Sequence, residues 1–321
     1  MKQVEHLLGY RASIKVMDAT LRDGGLVNDF YFTDDFVKAL YKTNLEAGVD
    51  YMEMGYRASK KVFDETKFGK WKFCSDDHIR EIVGENDTDL KLAIMADIGR
   101  HDKNDFDEKV NSPVDMVRVA AYIHQMPEAI DMIEDAHKKG YETTCNIMAI
   151  SQTQESDLKV ALDMLGKTPV DTIYIVDSFG SIYPEEMKRI VDIYMEAATK
   201  YGKQLGVHAH NNQQLAFANT IEACGDGVNW LDATYKGMGR GAGNCAMELL
   251  LGFLKNPKYN TYPVFRFISD YMVKLEEDGV VWGYDLQYLM TGQFNQHPRA
   301  AIKFTKDKRK DYAEFYKELI V

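Results

Sequence analysis

Val207-His208-Ala209-His210-Asn211-Asn212 sets two imidazoles two residues apart, in a stretch where apolar and polar residues alternate from Leu205 onward. Alternation with period two marks a strand, and residues two apart on a strand share a face. His208 and His210 therefore project together from one strand end, close enough to hold a single divalent cation. Two unrelated surface histidines have the same spelling. Which reading holds depends on what other elements bring to that strand end.

The chain has a rhythm that can do this. From residue 14 short apolar stretches alternate with amphipathic runs, roughly one pair every 30 residues. Strands are expected near 14–20, 51–55, 91–97, 115–121, 142–149, 172–178, 205–210 and 230–235. Helical runs at 34–47, 127–139, 184–201 and 215–224 fall between them, several opening on Asp, Ser or Pro and closing near Gly48, Gly140, Gly202 or Gly225. Eight βα units predict a closed TIM (β/α)8 barrel over residues 1–254, and no topological switch point marks the competing doubly wound sheet. After residue 255 the rhythm breaks. Residues 257–263 read as a turn-rich link, 264–277 as helix, and Trp282-Gly283-Tyr284-Asp285-Leu286-Gln287-Tyr288 opens another segment, so 255–321 is expected to be a short, mainly helical appendage.

Catalytic groups of such barrels lie at the C-terminal ends of the strands. The first strand runs into Asp18-Ala19-Thr20-Leu21-Arg22-Asp23-Gly24-Gly25, where Arg22 and Asp23 form either a plain surface ion pair or part of a site. On the second, Tyr51-Met52-Glu53-Met54-Gly55-Tyr56-Arg57 turns Glu53 inward, and an interior carboxylate needs a cation, for which Arg22 is the natural partner. The third strand ends at Asp97, and His124 after the fourth reads as a loop histidine. Asn146 on the fifth is a buried amide, either a substrate contact or only a satisfied core group. Asp177 and Ser178 in Val176-Asp177-Ser178-Phe179-Gly180 either contact a ligand or cap the next helix. After the eighth strand comes Gly237-Met238-Gly239-Arg240-Gly241-Ala242-Gly243-Asn244. Gly239, Gly241 and their neighbours let the backbone approach a ligand, with a helix N-terminus behind that favours anions. A dinucleotide fingerprint opens a βαβ unit, whereas this run follows the last strand. Gly9-Tyr10-Arg11-Ala12-Ser13 recurs as Gly55-Tyr56-Arg57-Ala58-Ser59, too short for a structural repeat.

A net charge of -11 with no offsetting basic run argues against nucleic acid or an anionic membrane as partner and for a small molecule. Cys74, Cys145, Cys224 and Cys245 show no Cys-x-x-Cys spacing, so neither a structural zinc nor a disulfide framework is expected, and a reducing, cytoplasmic setting suits them. The apolar patch near Met1 is too short for a signal peptide, and no run spans a membrane. An acidic barrel with an apolar appendage is compatible with a homodimer, which no motif specifies.

With Asp18-Ala19-Thr20-Leu21-Arg22-Asp23-Gly24 on strand one, His208-Ala209-His210 on strand seven and Gly239-Arg240-Gly241-Ala242-Gly243-Asn244 after strand eight, the chain resembles the DRE-TIM metallolyase superfamily. That group of metal-dependent lyases and aldolases includes hydroxymethylglutaryl-CoA lyase, isopropylmalate synthase and the 4-hydroxy-2-oxovalerate aldolases. The resemblance spans about residues 14 to 254. It implies that Asp23, His208 and His210 bind a divalent metal, with Asn244 a further oxygen ligand, and that Arg22 stabilises an enolate. Glu53 matches the family's second-strand acid, and Asp177-Ser178-Phe179-Gly180 its Asp-Ser-x-Gly strand end. The substrate implied is a small 2-keto acid such as a pyruvate-derived aldol, cleaved or formed next to its carbonyl. Mixed nitrogen and oxygen donors suit Mn²⁺ or Mg²⁺.

The chain also departs from its relatives. Leu26 and Val27 stand where the hydroxy-oxovalerate aldolases carry a histidine, and Arg240 stands in the loop where the CoA lyase carries a cysteine, Cys245 coming only beyond Asn244. Tyr284, in Trp282-Gly283-Tyr284, resembles the Gly-Tyr of the aldolase C-terminal region and is a candidate acid–base group, with His297 second. Packing or turn roles account for both as well. Docking of a partner dehydrogenase is not assumed. Three alternatives compete: a Claisen-type enzyme using an acyl-CoA, a two-histidine-one-carboxylate iron oxygenase, and a barrel that binds metal without catalysis.

Overall fold

The computed structural model describes residues 13–102 and 105–320. Eight parallel strands close on themselves in sequence order: β1 (Lys15–Asp18), β2 (Tyr51–Tyr56), β3 (Lys91–Asp97), β4 (Met116–Ala121), β5 (Glu142–Ile147), β6 (Thr172–Asp177), β7 (Gln204–Ala209) and β8 (Trp230–Ala233), with β8 pairing back on β1. Helices α1 (Thr20–Gly24), α2 (Asp34–Ala47), α3 (Asp76–Val83), α4 (Met126–Lys138), α5 (Glu155–Gly166), α6 (Pro184–Tyr201), α7 (Ala216–Gly225) and α8 (Met247–Leu254) connect or follow the strands. This is the TIM barrel expected from the eight-fold rhythm. Its helix ends obey local chemistry. Thr33 accepts the Phe36 N–H at 3.2 Å to open α2, and Gly48, at φ +73°, closes it in a conformation that costs other residues.

Several boundaries differ from the sequence expectation for identifiable reasons. The fifth strand stops at Ile147 because Ala149 takes a left-handed φ of 54°. The seventh stops at Ala209, and His210 instead forms an isolated bridge to Asn244. The stretch 257–263 is not all link: α9 (Thr261–Phe267) begins within it, Asn260 accepting the Tyr262 N–H at 3.1 Å. Pro263 sits in that first turn, where a missing N–H costs nothing. A π-helical turn over Ile268–Met272 then leads to α10 (Val273–Glu277).

The barrel interior is layered by strand position. Met17, Tyr51, Ala93, Met116, Tyr174, Val176 and Trp230 form an apolar cluster, with Tyr51, Met116 and Trp230 each at the first residue of its strand. Two residues further along those same strands, on the same face, stand Glu53, Arg118 and Asp232, all within the core. Arg118 reaches Asp232 at 2.7 Å and Glu53 at 2.9 Å, with its guanidinium 4.5 Å from the Tyr174 ring centre. A charged layer thus supports whatever stands at the strand ends.

Asp18, at the end of β1, is buried and accepts hydrogen bonds from Asn44 at 2.7 Å and from the Thr20 N–H at 2.9 Å. Burial outweighs these bonds and pushes its carboxyl from the usual 3.8 up to about 6. A raised folded pKa means that the stability this group contributes is complete below its unfolded value and lost as pH rises through about 6. Urea unfolding between pH 4 and 7 is expected to show a decline on the order of 2 kcal/mol that Asp18→Asn flattens. Parallel stability curves for the two proteins would show that Asp18 does not titrate in this range.

Beyond α10 lie α11 (Leu286–Gln293), α12 (Arg299–Lys306) and α13 (Tyr312–Ile320), which share a small core of Ala301, Phe304, Phe315 and Leu319. This unit is tied to the C-terminal end of the barrel. Asn295 donates to the Ser151 carbonyl at 2.8 Å, the Gly283 N–H bonds the Gly241 carbonyl at 3.2 Å, and Trp282 Nε1 bonds that of Lys236 at 3.0 Å. Among the described residues no helix is long and apolar enough to cross a membrane.

Candidate functional site

Arg22 and Asp23 lie in α1, the single turn of helix that follows β1, and both are buried. The surface ion pair is therefore not what forms. Arg22 pairs with the Asp23 carboxylate through Nη1 and donates from Nε to Glu53 at 2.7 Å, so the inward carboxylate has the partner that β2 parity called for. Glu53 in turn shares Arg118 below. The guanidinium is aimed by two carboxylates at once, which fixes its plane.

Asp23 Oδ2 lies 3.3 Å from His208 Nε2 and 3.9 Å from His210 Nε2, and the two rings are 5.1 Å apart. One donor atom from each of Asp23, His208 and His210 lies within 4.8 Å of the other two, as a metal ion requires. His208 Nδ1 meets the Asp232 carboxylate at 3.0 Å, which fixes the ring and points Nε2 into the cluster. His208 Nε2 is buried, and despite its closeness to Asp23 it makes no hydrogen bond, nor does Asn244 Oδ1. Such orphaned acceptors are costly in a protein interior, and a cation satisfies both kinds at once. The donor set suits a divalent ion.

Burial and Arg22 act to lower the His208 imidazole, but Asp23 and Asp232 raise it overall, so a bound cation takes the place of a proton there. Burial alone favours a neutral Asp23, but Arg22 and the two imidazoles hold its carboxyl well below the usual range. Burial pushes His210 down, which keeps its ring neutral and able to coordinate. Gly239 is required here by space. A Cβ on it would lie 2.1 Å from Asn244 Nδ2 and 2.8 Å from Asp23 Oδ1, so any side chain displaces the cluster.

The cluster opens into a cavity of about 60 Å³ at the C-terminal end of the strands. Arg22, Asp23, Leu26, Tyr56, Asp97, Asn146, Ser178, His208, His210, Arg240 and His297 contribute to its wall. Asn146 accepts from Thr144 at 2.8 Å, and Ser178 Oγ accepts the Ala149 N–H at 2.9 Å. Glu53, Asp177, Gly239, Gly241, Asn244 and Tyr284 are not part of that wall. The Asp177 carboxylate accepts the N–H groups of Ser181 at 3.1 Å and Ile182 at 3.3 Å, the turn-forming arrangement. Gly241, at φ +65°, packs beside Tyr288. Tyr284 is 45% exposed. His297, between α11 and α12, faces the Phe179 ring edge-on at 5.8 Å and comes within 3.4 Å of Arg240 Nη1. Burial, with the cations of Arg240, Arg299 and Arg100, holds its imidazole at about 3, so it is neutral.

Sequence reasoning passed over two supports of this site. Arg118 and Asp232 are charges inside apolar strand stretches, at the same inward parity as Glu53, and that oddity was the available signal. Arg240 was noted only as a substitution. Its N–H bonds Asp23 Oδ1 at 3.1 Å and its Nη2 bonds the Ser178 carbonyl at 2.8 Å, so it braces the Asp23 carboxylate and the cavity wall together.

Residues 13–266 match the family model described as HMGL-like. The chain belongs to the HMGL-like family. An oxaloacetate decarboxylase of Mycobacterium tuberculosis is 28% identical over 241 residues, 75% of this chain and 69% of that protein. A 4-hydroxy-2-oxovalerate aldolase of Thermus thermophilus is 29% identical over 247 residues, 76% and 70% of the two chains. The crystal structure of the N-terminal domain of a candidate aldolase from Bacteroides vulgatus superposes with a TM-score of 0.77 at 30% identity, covering 91% of this chain and 97% of that one. The family is the one the three motifs pointed to. As an HMGL-like barrel with carbon–carbon lyases among its relatives, this chain is an enzyme of that class.

Proposed function

We propose that the chain cleaves a carbon–carbon bond next to the carbonyl of a small 2-keto acid, using Mn²⁺ or Mg²⁺ held by Asp23, His208 and His210, with Asn244 as a further oxygen donor. The observation that carries this reading is the convergence of Arg22 with that three-residue cluster in one cavity. When bound, the divalent ion supplies Lewis-acid polarisation of the keto acid. Arg22 faces the oxygen on which enolate charge develops, pre-aimed by Glu53 and therefore needing no reorganisation. Arg240 offers a second cation for the substrate carboxylate. Ser178 and Asn146 line the opposite wall and shape what enters.

Cavity size favours a small acid over an acyl-CoA. Which bond breaks is open to a second reading supported by Leu26, an apolar cavity residue at the position where hydroxy-oxovalerate aldolases carry histidine. A retro-aldol cleavage needs a base for the substrate hydroxyl. Loss of CO₂ from a 3-carboxylated keto acid needs none, and the relatives include enzymes named for each reaction.

Metal-stripped protein offered 4-hydroxy-2-oxovalerate and oxaloacetate, with pyruvate detection, is expected to be inactive and to regain turnover with Mn²⁺ or Mg²⁺. The substrate consumed distinguishes the two cleavages. Full activity after chelation, or turnover only with an acyl-CoA, overturns the proposal.

A further inference from the structure

Cleavage beside a carbonyl leaves an enolate, and release of that fragment as a keto acid requires a proton at carbon. Apart from the Asp23, His208 and His210 cluster, the cavity wall carries five side chains able to exchange one: Tyr56, Asp97, Tyr122, Ser178 and His297. Three of them are engaged at a polar atom, and a fourth faces elsewhere. Ser178 Oγ accepts the Ala149 N–H at 2.9 Å; the Tyr122 hydroxyl, like that of Tyr56, makes no hydrogen bond among the described residues, but its ring is half-buried and stacks on the exposed His124 ring at 5.7 Å, away from Arg22. His297 is a neutral imidazole against Arg240, and Asp97 pairs with Arg100 at 3.4 Å.

Tyr56 is different. It is the last residue of β2 and is buried, yet its hydroxyl makes no hydrogen bond among the described residues. Its ring is nonetheless firmly placed. Lys72 Nζ lies 4.4 Å from the ring centre, the Arg22 guanidinium 6.0 Å, and Phe30 packs edge-on at 5.7 Å. Unlike the hydroxyls of Tyr174 and Tyr194, which are enclosed in the core without a partner, the Tyr56 oxygen is open to the cavity that the residue lines, so a fixed ring presents it to whatever enters.

We infer that Tyr56 donates the proton to the enolate carbon, a catalytic role that rests on the lyase reading above. The electron pair of the broken carbon–carbon bond enters the enolate, with its charge on the C2 oxygen beside Arg22. As the C2 carbonyl re-forms, C3 takes the phenol proton, and the phenolate left on Tyr56 recovers a proton from water. The step serves decarboxylation and retro-aldol cleavage alike. Burial keeps the phenol protonated through the neutral range, ready to donate. Lys72, whose Nζ also lies 4.3 Å from the Phe63 ring centre and 5.1 Å from that of Phe30, places a positive charge next to the phenolate that donation creates.

By microscopic reversibility the same group exchanges the methyl protons of pyruvate. Wild-type enzyme with Mn²⁺ in D₂O is expected to deuterate pyruvate, followed by NMR. Tyr56→Phe is expected to do so at least about 100-fold more slowly, with Mn²⁺ affinity and Tm unchanged. Exchange by Tyr56→Phe at the wild-type rate overturns the donor role and leaves the lyase reading standing. Loss of exchange together with loss of Mn²⁺ binding makes Tyr56 structural and overturns it too. If the wild-type enzyme neither exchanges pyruvate nor cleaves any keto acid, the lyase reading falls and the donor role with it.

Discussion

Arg22→Ala is expected to lower turnover of the cleaved keto acid by about 100- to 1,000-fold, the loss typical of removing one aimed donor from a developing oxyanion. Geometry makes this residue hard to replace. Its Nε is held by Glu53 at 2.7 Å and its Nη1 by Asp23, so the guanidinium is a fixed plane instead of a mobile charge. Arg22→Lys keeps the charge but cannot form two directed bonds from one rigid fork, and is expected to recover only a small part of the rate. The deficit belongs in kcat more than in KM, since the guanidinium acts on charge that develops during the reaction. Steady-state kinetics with Mn²⁺ binding measured in parallel decide the matter. Equal kcat in wild type and Arg22→Ala would remove Arg22 from the chemistry, whatever its structural value.

The second large effect concerns folding. Arg118 is 0% exposed and is shared by Glu53 and Asp232, so Arg118→Met leaves Glu53 to Arg22 alone and Asp232 to the His208 ring alone, with one positive charge too few in the barrel interior. Leaving a buried charge without its partner costs about 3–5 kcal/mol, a large share of the stability of an ordinary domain. Chemical denaturation at pH 7 is expected to show that loss. Arg118→Met combined with Glu53→Gln and Asp232→Asn is expected to recover part of it, because no carboxylate is then left uncompensated. A single-variant loss below about 1 kcal/mol would mean that solvent reaches this layer and that it does not support the site as described. Asp232 also holds His208 Nδ1 at 3.0 Å, so the single variant is further expected to weaken Mn²⁺ binding.

Both predictions concern residues that the sequence treats very differently. His208 and His210 could be paired from strand parity, and Arg22 with Asp23 could be placed at a strand end, because both inferences use only backbone geometry within a few residues. The Glu53–Arg22 contact followed from the same parity plus the cost of an unpaired interior carboxylate. Arg118 and Asp232 lie 114 residues apart, and nothing local says that they meet. Their meeting is set by the closure and stagger of the whole barrel, which decides which strand's third residue faces which.

The appendage shows the same division. Tyr284 and His297 were equally plausible from their spelling, yet packing of α11 against α12 leaves Tyr284 at the surface and brings His297 to the cavity wall. Tyr56 went unremarked as a functional group because a tyrosine ending a strand has no signal of its own. Period, caps and strand-end motifs, and through them the barrel, the candidate donor residues and the family, were determined by sequence, since each depends on short-range sterics and hydrogen bonding. Which charges pair inside the barrel, which hydroxyl opens into the cavity and which side of the appendage meets it were decided by tertiary structure alone, because close packing brings together side chains whose separation along the chain carries no information about their contact.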